Sequence, residues 1–286
     1  MTTLLVMAAL KIKELISRPK AEFPTTETFI DEDPCSACEK GCAHPQLPAT
    51  LASKIDYDEP LLGSMKPYSL HLCIIEGSSS QWPERIEEDP TTITSKVMEL
   101  AQKVTKFRIL VSAIDISTTG LHISDAQAQG KGVDILVFPY NVILRGLKLA
   151  EIGAVIQDLV NDKIPSGVVV EKLGQKDVVV FVCTHKKRDK RCGVAGPMLI
   201  EEFQKAIEEM KGLEYNIHVC GISHTGGHKF AGNLILYGEQ TRGEWYGRVK
   251  TCHVRPILQK TIIEGKVFKE LWRGVMSKNT TENKSW

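Results

Sequence analysis

The sequence predicts an α/β chain in two similar halves, each a mixed sheet flanked by helices. Three observations predict it. Short apolar runs of strand length alternate with segments whose apolar residues recur at helical spacing. The order β-α-β-β-α occurs twice along the chain. The first two strands recur at one offset, since runs starting at 69 and 107 are answered by runs starting at 177 and 215. Repetition of that kind points to an internal duplication, and the alternation places helices on the faces of mixed sheets.

The elements follow in order. Residues 1–34 form an extension in which Leu4, Leu5, Ala8, Ile12, Leu15 and Ile16 share one helical face. Lys11, Lys13, Arg18 and Lys20 make it basic around Glu14, which fits a mitochondrial presequence or an ordinary terminal helix. Pro24 and the run Asp31, Glu32, Asp33, Pro34 mark a loop. The first half has a strand at 69–76 (SLHLCIIE) and a helix at 95–106, with Val97, Leu100, Ala101 and Val104 on one face. Strands at 108–116 and 134–138 and a helix at 150–160 complete it. Residues 161–175 are polar, with Pro165, Gly167 and Gly174, and read as the connection. The second half opens with the strand 177–183 (DVVVFVC). A helix follows at 197–210, with Pro197 in its first turn and Leu199, Phe203, Ala206 and Ile207 on one face. Strands at 215–220 and 233–237 and a helix at 254–263 follow. The division is an extension at 1–34, domains at 35–165 and 166–276, and a polar flexible tail at 277–286.

Composition narrows the function classes. The chain has 286 residues, enough for two domains at about 150 residues each. Lys and Arg number 36 against 35 Asp and Glu. That balance excludes a general nucleic-acid binder, which needs a basic excess to meet phosphates. No apolar run reaches the roughly 18 residues needed to span a bilayer. Eight cysteines stand at 35, 38, 42, 73, 183, 192, 220 and 252. In a chain of this length without a clean secretory signal, clustered Cys and His indicate metal or redox sites in a reducing compartment.

Two motifs carry the chemistry. CTHKKRDKRC spaces Cys183 and Cys192 by eight residues and begins where an apolar strand ends. HTGGHKFAGN spaces His224 and His228 by three, also just past a strand, with Gly226 and Gly227 allowing a tight turn. Strand ends in α/β folds are the usual place for functional loops. Two thiolates and two imidazoles suit zinc or an iron–sulfur cluster, and the wide cysteine spacing decides weakly between them. A Cys183–Cys192 redox pair beside incidental histidines is a further reading.

These two motifs, with WYGRV at 245–249, PLLGSMKPY at 60–68 and WPERIEEDP at 82–90, resemble the sucrase/ferredoxin-like family of thioredoxin-like ferredoxins. The resemblance covers about residues 35–270. It implies two thioredoxin-like units, the second holding a 2Fe–2S cluster on Cys183, Cys192, His224 and His228. Electron transfer in cytosolic redox homeostasis is then the expected function, with a flavoprotein reductase as donor and a carrier rather than an enzyme as the protein's role. Two neutral imidazoles in place of two thiolates raise the potential of such a cluster, as in Rieske centres. The rivals are a thiol–disulfide oxidoreductase using Cys183 and Cys192, and a zinc-stabilised interaction module linked to actin organisation.

Other residues carry expectations of their own. Lys186, Lys187, Arg188, Lys190 and Arg191 oppose only Asp189, a loop suited to stabilising a reduced cluster and steering an acidic donor. His185 is expected exposed or behind the ligands. Cys35, Cys38, Cys42 and His44 lie within ten residues, dense enough for zinc, a second cluster or redox-active thiols. Cys73 reads as core, and Cys220 and Cys252 as ordinary residues. Trp286 ends a polar segment and, after Ser285, resembles the terminal aromatic by which cytosolic iron–sulfur proteins engage the assembly machinery.

Overall fold

The computed structural model describes residues 27–35, 43–163, 165–210 and 212–277. The helix expected at 4–16, Cys38, Cys42 and the terminal Ser285 and Trp286 lie outside the described residues. Strand β1 (Phe29–Ile30) and helix α1 (Ala49–Ala52) come first. The first half continues with β2 (Leu70–Ile75), α2 (Ile93–Val104), β3 (Ile109–Asp115), α3 (Asp125–Ala128), β4 (Val133–Phe138), β5 (Val142–Leu147), α4 (Leu149–Val160) and β6 (Val169–Lys172). The second half holds β7 (Asp177–Cys183), α5 (Lys190–Glu209), β8 (Asn216–Ile222), β9 (Leu234–Tyr237), β10 (Arg242–Tyr246), α6 (Val254–Pro256), β11 (Val267–Phe268) and β12 (Trp272–Val275).

Ten strands form one mixed sheet in the order β12-β10-β9-β7-β8-β3-β2-β4-β5-β6. In the first half β2 runs parallel to β3 and antiparallel to β4, which pairs antiparallel with β5. In the second half β7, β8, β9 and β10 pair in the same way. Register repeats as well: Leu70 faces Ile109 and Val178 faces Ile217, one pair displaced from the other by 108 residues. The halves meet where β3 and β8 pair antiparallel, Ile114 opposite Ile222 and Asp115 opposite Gly221. Ser223 closes that seam, its N–H donating to Ala113 O at 2.9 Å while its Oγ accepts the Ala113 N–H at 3.0 Å.

Every residue of β2, β3 and β4 is buried, which explains uninterrupted apolar runs in place of alternation. Helices α2 and α4 cover one face of the first half through Val97, Ala101, Ile152, Val155, Ile156 and Leu159. In the second half Leu199, Ile200, Phe203 and Ala206 of α5 do so. A further cluster spans both halves, from Cys73 and Leu136 to Phe181 and Trp245. It contains a polar chain: Trp245 Nε1–H donates to Tyr68 Oη at 2.8 Å, and Tyr237 Oη lies 2.7 Å from Tyr68 Oη and 2.9 Å from His71 Nδ1.

Four local expectations are corrected. The helix expected at 197–210 begins at Lys190, with Asp189 as its N-cap accepting the Arg191 N–H at 2.8 Å. Gly193 and Gly196 look like loop punctuation, but here they let the helix lie against the chain. A Cβ at Gly193 would overlap Lys186 Cα, and one at Gly196 would overlap Cys183 O. Pro197 therefore sits inside the helix. The helix expected at 254–263 is α-helical only to Pro256 and continues as a π-helical stretch, Ile257–Ile263. The polar connection at 161–175 contains β6, paired with β5 at the sheet edge. Strands β5, β10 and β12 escaped the sequence reading for different reasons. Strand β5 follows β4 after a three-residue reversal ending at Asn141 (φ 55°), so the two run together. In β10 and β12, buried Glu244 and Arg273 break the apolar pattern.

The chain ahead of β2 is fastened to the second half. Strand β1 pairs parallel with β11, the Asp56 N–H donates to Lys229 O at 2.9 Å, and Thr251 Oγ1–H donates to Pro45 O at 2.6 Å.

Candidate functional site

Cys183 is the last residue of β7 and Cys192 lies in the first turn of α5, so the end of a buried strand and a capped helix start fix both thiols. Both are buried, at 3% and 1% exposure, and neither is in a disulfide. The Cys183 sulfur contacts Cys192 Sγ and the His224 ring and accepts the His185 N–H. Those contacts, the one from Cys192 foremost, hold Cys183 well below the ordinary thiol range. Cys192 is pushed the other way, first by donating to Cys183 and then by burial. The contact between the two sulfurs thus favours the thiolate at Cys183 over that at Cys192.

His224 stands just past β8, and its ring centroid lies 5.2 Å from that of His228. His224 is half-buried, whereas His228 is exposed at the start of a single 3-10 turn. Burial lowers the His228 pKa, and the neighbouring His224 lowers it further. The fold thus brings together all four residues singled out from the two motifs, with one imidazole at the surface. His185 is fully buried, so of its two expected places the one behind the ligands holds. Its Nδ1 accepts the His224 N–H at 3.2 Å and its Nε2–H donates to Pro83 O at 2.8 Å. Trp82 meets the same ring edge-on at 5.6 Å. The WPERIEEDP segment of the first half thus becomes a wall of the second half's site.

Arg273 is the functional residue that sequence reasoning missed. It is 1% exposed and enters from β12. Its Nη1–H groups donate to Asn233 Oδ1 at 2.8 Å and Gly226 O at 3.2 Å, and its Nε–H donates to Ser64 Oγ at 3.0 Å. Asn233 in turn donates to Gly227 O at 3.0 Å. The guanidinium so clamps the HTGGH loop while standing within electrostatic reach of both thiols. Burial brings its pKa down to about 10, so it stays charged.

The basic loop is less bare than its sequence reads. Arg188 pairs with Glu87 at 3.5 Å and Arg191 with Asp189 at 2.8 Å, while Lys187 Nζ donates to Gln81 O at 3.2 Å. Lys186, Lys187 and Lys190 remain exposed. Cys73 and Cys220 are fully buried core, as expected, and burial pushes both thiols up. Of the quartet Cys35, Cys38, Cys42 and His44, only Cys35 and His44 are among the described residues. His44 Nδ1 lies 3.0 Å from Glu202 Oε1, and Cys35 instead joins Cys252 and His253 in a group that could hold a metal. Cys252, read as ordinary, is a buried member of that group, next to His253.

The sucrase/ferredoxin-like family model matches residues 61–274, which takes in both motifs and Arg273. The chain belongs to this family. Among curated proteins it is 29% identical to altered inheritance of mitochondria protein 32 of Clavispora lusitaniae, over 86% of this chain and 96% of that one. The protein of the same name from Meyerozyma guilliermondii is 25% identical over 87% and 96% of the two chains. Actin patches distal protein 1 of Saccharomyces cerevisiae is 28% identical over 73% and 74%. No solved structure matches. Among the described residues no helix is long and apolar enough to cross a membrane.

Proposed function

We propose that this family member is a 2Fe–2S electron-transfer protein whose cluster is held by Cys183, Cys192, His224 and His228. The observation that carries the reading is the convergence of two buried thiols and two imidazoles beside the buried Arg273 cation. The donor set fits the group: two sulfurs lie inside and two nitrogens toward the surface, the mixed set that Rieske-type centres use. When bound, such a cluster accepts and releases one electron. The protein's own residues do the rest. The contacts that lower Cys183 favour its thiolate, the form that binds iron, and Cys192 must also lose its proton on loading. His185 and Arg273 orient the His224 backbone and the glycine turn. Arg273 adds a positive charge close to the thiols, which favours the reduced state. His228 leads from the site to solvent, where an electron partner docks.

The repeated pairing order supports a finer reading of the fold, in which the half ending at β6 and the half beginning at β7 are two thioredoxin-like units derived by duplication. A cytosolic setting with a flavoprotein reductase as donor accords with exposed Lys186, Lys187 and Lys190 beside the site. One observation favours a thiol–disulfide oxidoreductase, namely the contact between the Cys183 and Cys192 sulfurs, which lowers the Cys183 pKa. Their burial weighs against it, because an attacking sulfur needs access to its disulfide.

Anaerobic purification with iron and acid-labile sulfide analysis tests the proposal. The expected protein is red-brown, with iron and sulfide in equal amounts. Cys183→Ala should lose both. A colourless wild type, or a visible spectrum unchanged in Cys183→Ala, would overturn the assignment.

A further inference from the structure

A second group of metal-binding side chains lies on different residues. The ligand atoms of Cys35, Cys252 and His253 all fall within 4.8 Å of one another. Cys252 and His253 are buried and adjacent on the 3-10 turn Thr251–His253, and Cys35 is half-buried. Each arrives by an independent constraint. Strand β1 pairs with β11, and the Val267 N–H donates to Thr28 O at 2.8 Å, which fixes the segment leading to Cys35. The Asp33 carboxylate accepts the Cys35 N–H at 2.8 Å and faces the His253 ring electrostatically. Thr251 holds Pro45 O, so the chain on the far side of Cys35 returns to the same turn.

We propose that Cys35, Cys252 and His253 bind a single zinc ion that clasps the N-terminal segment onto the second half. The spacing favours one ion over a cluster. Two ligands at about 2.3 Å from a tetrahedral centre stand about 3.8 Å apart, inside the observed limit. Sulfur and imidazole donors select zinc over calcium or magnesium, which take oxygen ligands. Charge also balances. Binding forms two zinc–sulfur bonds and one zinc–nitrogen bond and releases two thiol protons to solvent, so the dication and two thiolates sum to zero. A neutral assembly is what a largely buried site tolerates. The fourth tetrahedral position is left to water or another ligand. Because Cys35 and Cys252 stand more than two hundred residues apart in sequence, the ion closes a long loop, where a crosslink constrains the unfolded chain most.

The test is metal analysis of the full-length chain produced with zinc and iron both supplied. Wild type should hold one zinc besides its iron. Cys252→Ser and Cys35→Ser should each lose the zinc and keep the visible chromophore. His253→Cys, which preserves a zinc donor, should retain the ion, guarding against loss through misfolding. Cys183→Ala should keep zinc while losing iron, so failure of the two sites is told apart. Wild-type protein without zinc, or zinc undiminished in both Cys35→Ser and Cys252→Ser, would overturn the proposal.

Discussion

The His224 backbone N–H is held by Nδ1 of His185 at 3.2 Å, a contact that ties one predicted ligand to a residue between the two cysteines. The other nitrogen of that ring donates to Pro83 O at 2.8 Å, so the neutral tautomer is fixed with its proton on Nε2. Burial, the largest influence, lowers the His185 pKa and keeps the ring neutral. His185→Ala removes this brace without touching a donor atom. Loss of the chromophore under a chelator should accelerate about 10–100-fold, the usual effect of removing a partner behind a metal ligand. Wild-type decay kinetics in the variant would show that His224 needs no such support.

Gly226 and Gly227 separate a strain effect from a clash. Both have positive φ, 103° and 74°. A Cβ at Gly226 meets nothing within 4 Å, whereas one at Gly227 would overlap the Arg273 guanidinium. Gly226→Ala should cost about 1–2 kcal/mol, the backbone strain alone. Gly227→Ala should cost more and also lower iron content, because Arg273 must leave Asn233 and the Gly226 carbonyl. Thermal unfolding with iron analysis of the two variants checks this, and equal effects would refute the clamp.

The four motif residues were legible because each motif begins at or just past the end of a strong apolar strand, and strand ends in one sheet bring distant loops together. Arg273 was not legible. It sits in WRGV, a segment too short and polar to read as a strand, and a buried arginine has no periodic signature. Cys252 was hidden for another reason. Its partner Cys35 lies ahead of the first half, and only the pairing of β1 with β11 carries that segment to the turn after β10. The continuous sheet escaped notice likewise, since the β3–β8 seam consists of two residue pairs without a sequence signal.

Two buried groups give stability opposite pH slopes. Burial raises Glu244 from an ordinary 4.5 to about 7, although Trp272 Nε1–H donates to it at 2.6 Å. Its stabilising contribution is complete below pH 4.5 and is lost as pH rises through 7, amounting to about 3 kcal/mol. Glu244→Gln should flatten that decline. Burial lowers His71 from 6.5 to about 3, so its contribution is complete above pH 6.5 and is lost as pH falls toward 3. Urea unfolding from pH 4 to pH 8 should show the Glu244 slope vanish in Glu244→Gln. A slope unchanged by the substitution would place the titration elsewhere.

The basic loop gives the last prediction, one that needs no identified partner. Arg188 and Arg191 are engaged by Glu87 and Asp189, so the steering charge resides in exposed Lys186, Lys187 and Lys190. These surround the helix start that holds Cys192, one of the two proposed sulfur ligands. Anionic small-molecule oxidants should therefore react with the reduced protein faster than cationic oxidants of equal driving force, and the difference should shrink with added salt. Replacing the three lysines with glutamate should reverse the order, changing the ratio of the two rates by about 10-fold or more at low salt. The visible spectrum should not change, because no donor or brace is altered. Glu87→Gln should act in the opposite sense by releasing Arg188. If charge reversal at the three lysines leaves the anion-to-cation ratio where it was, electrons leave by a face other than the one His228 opens.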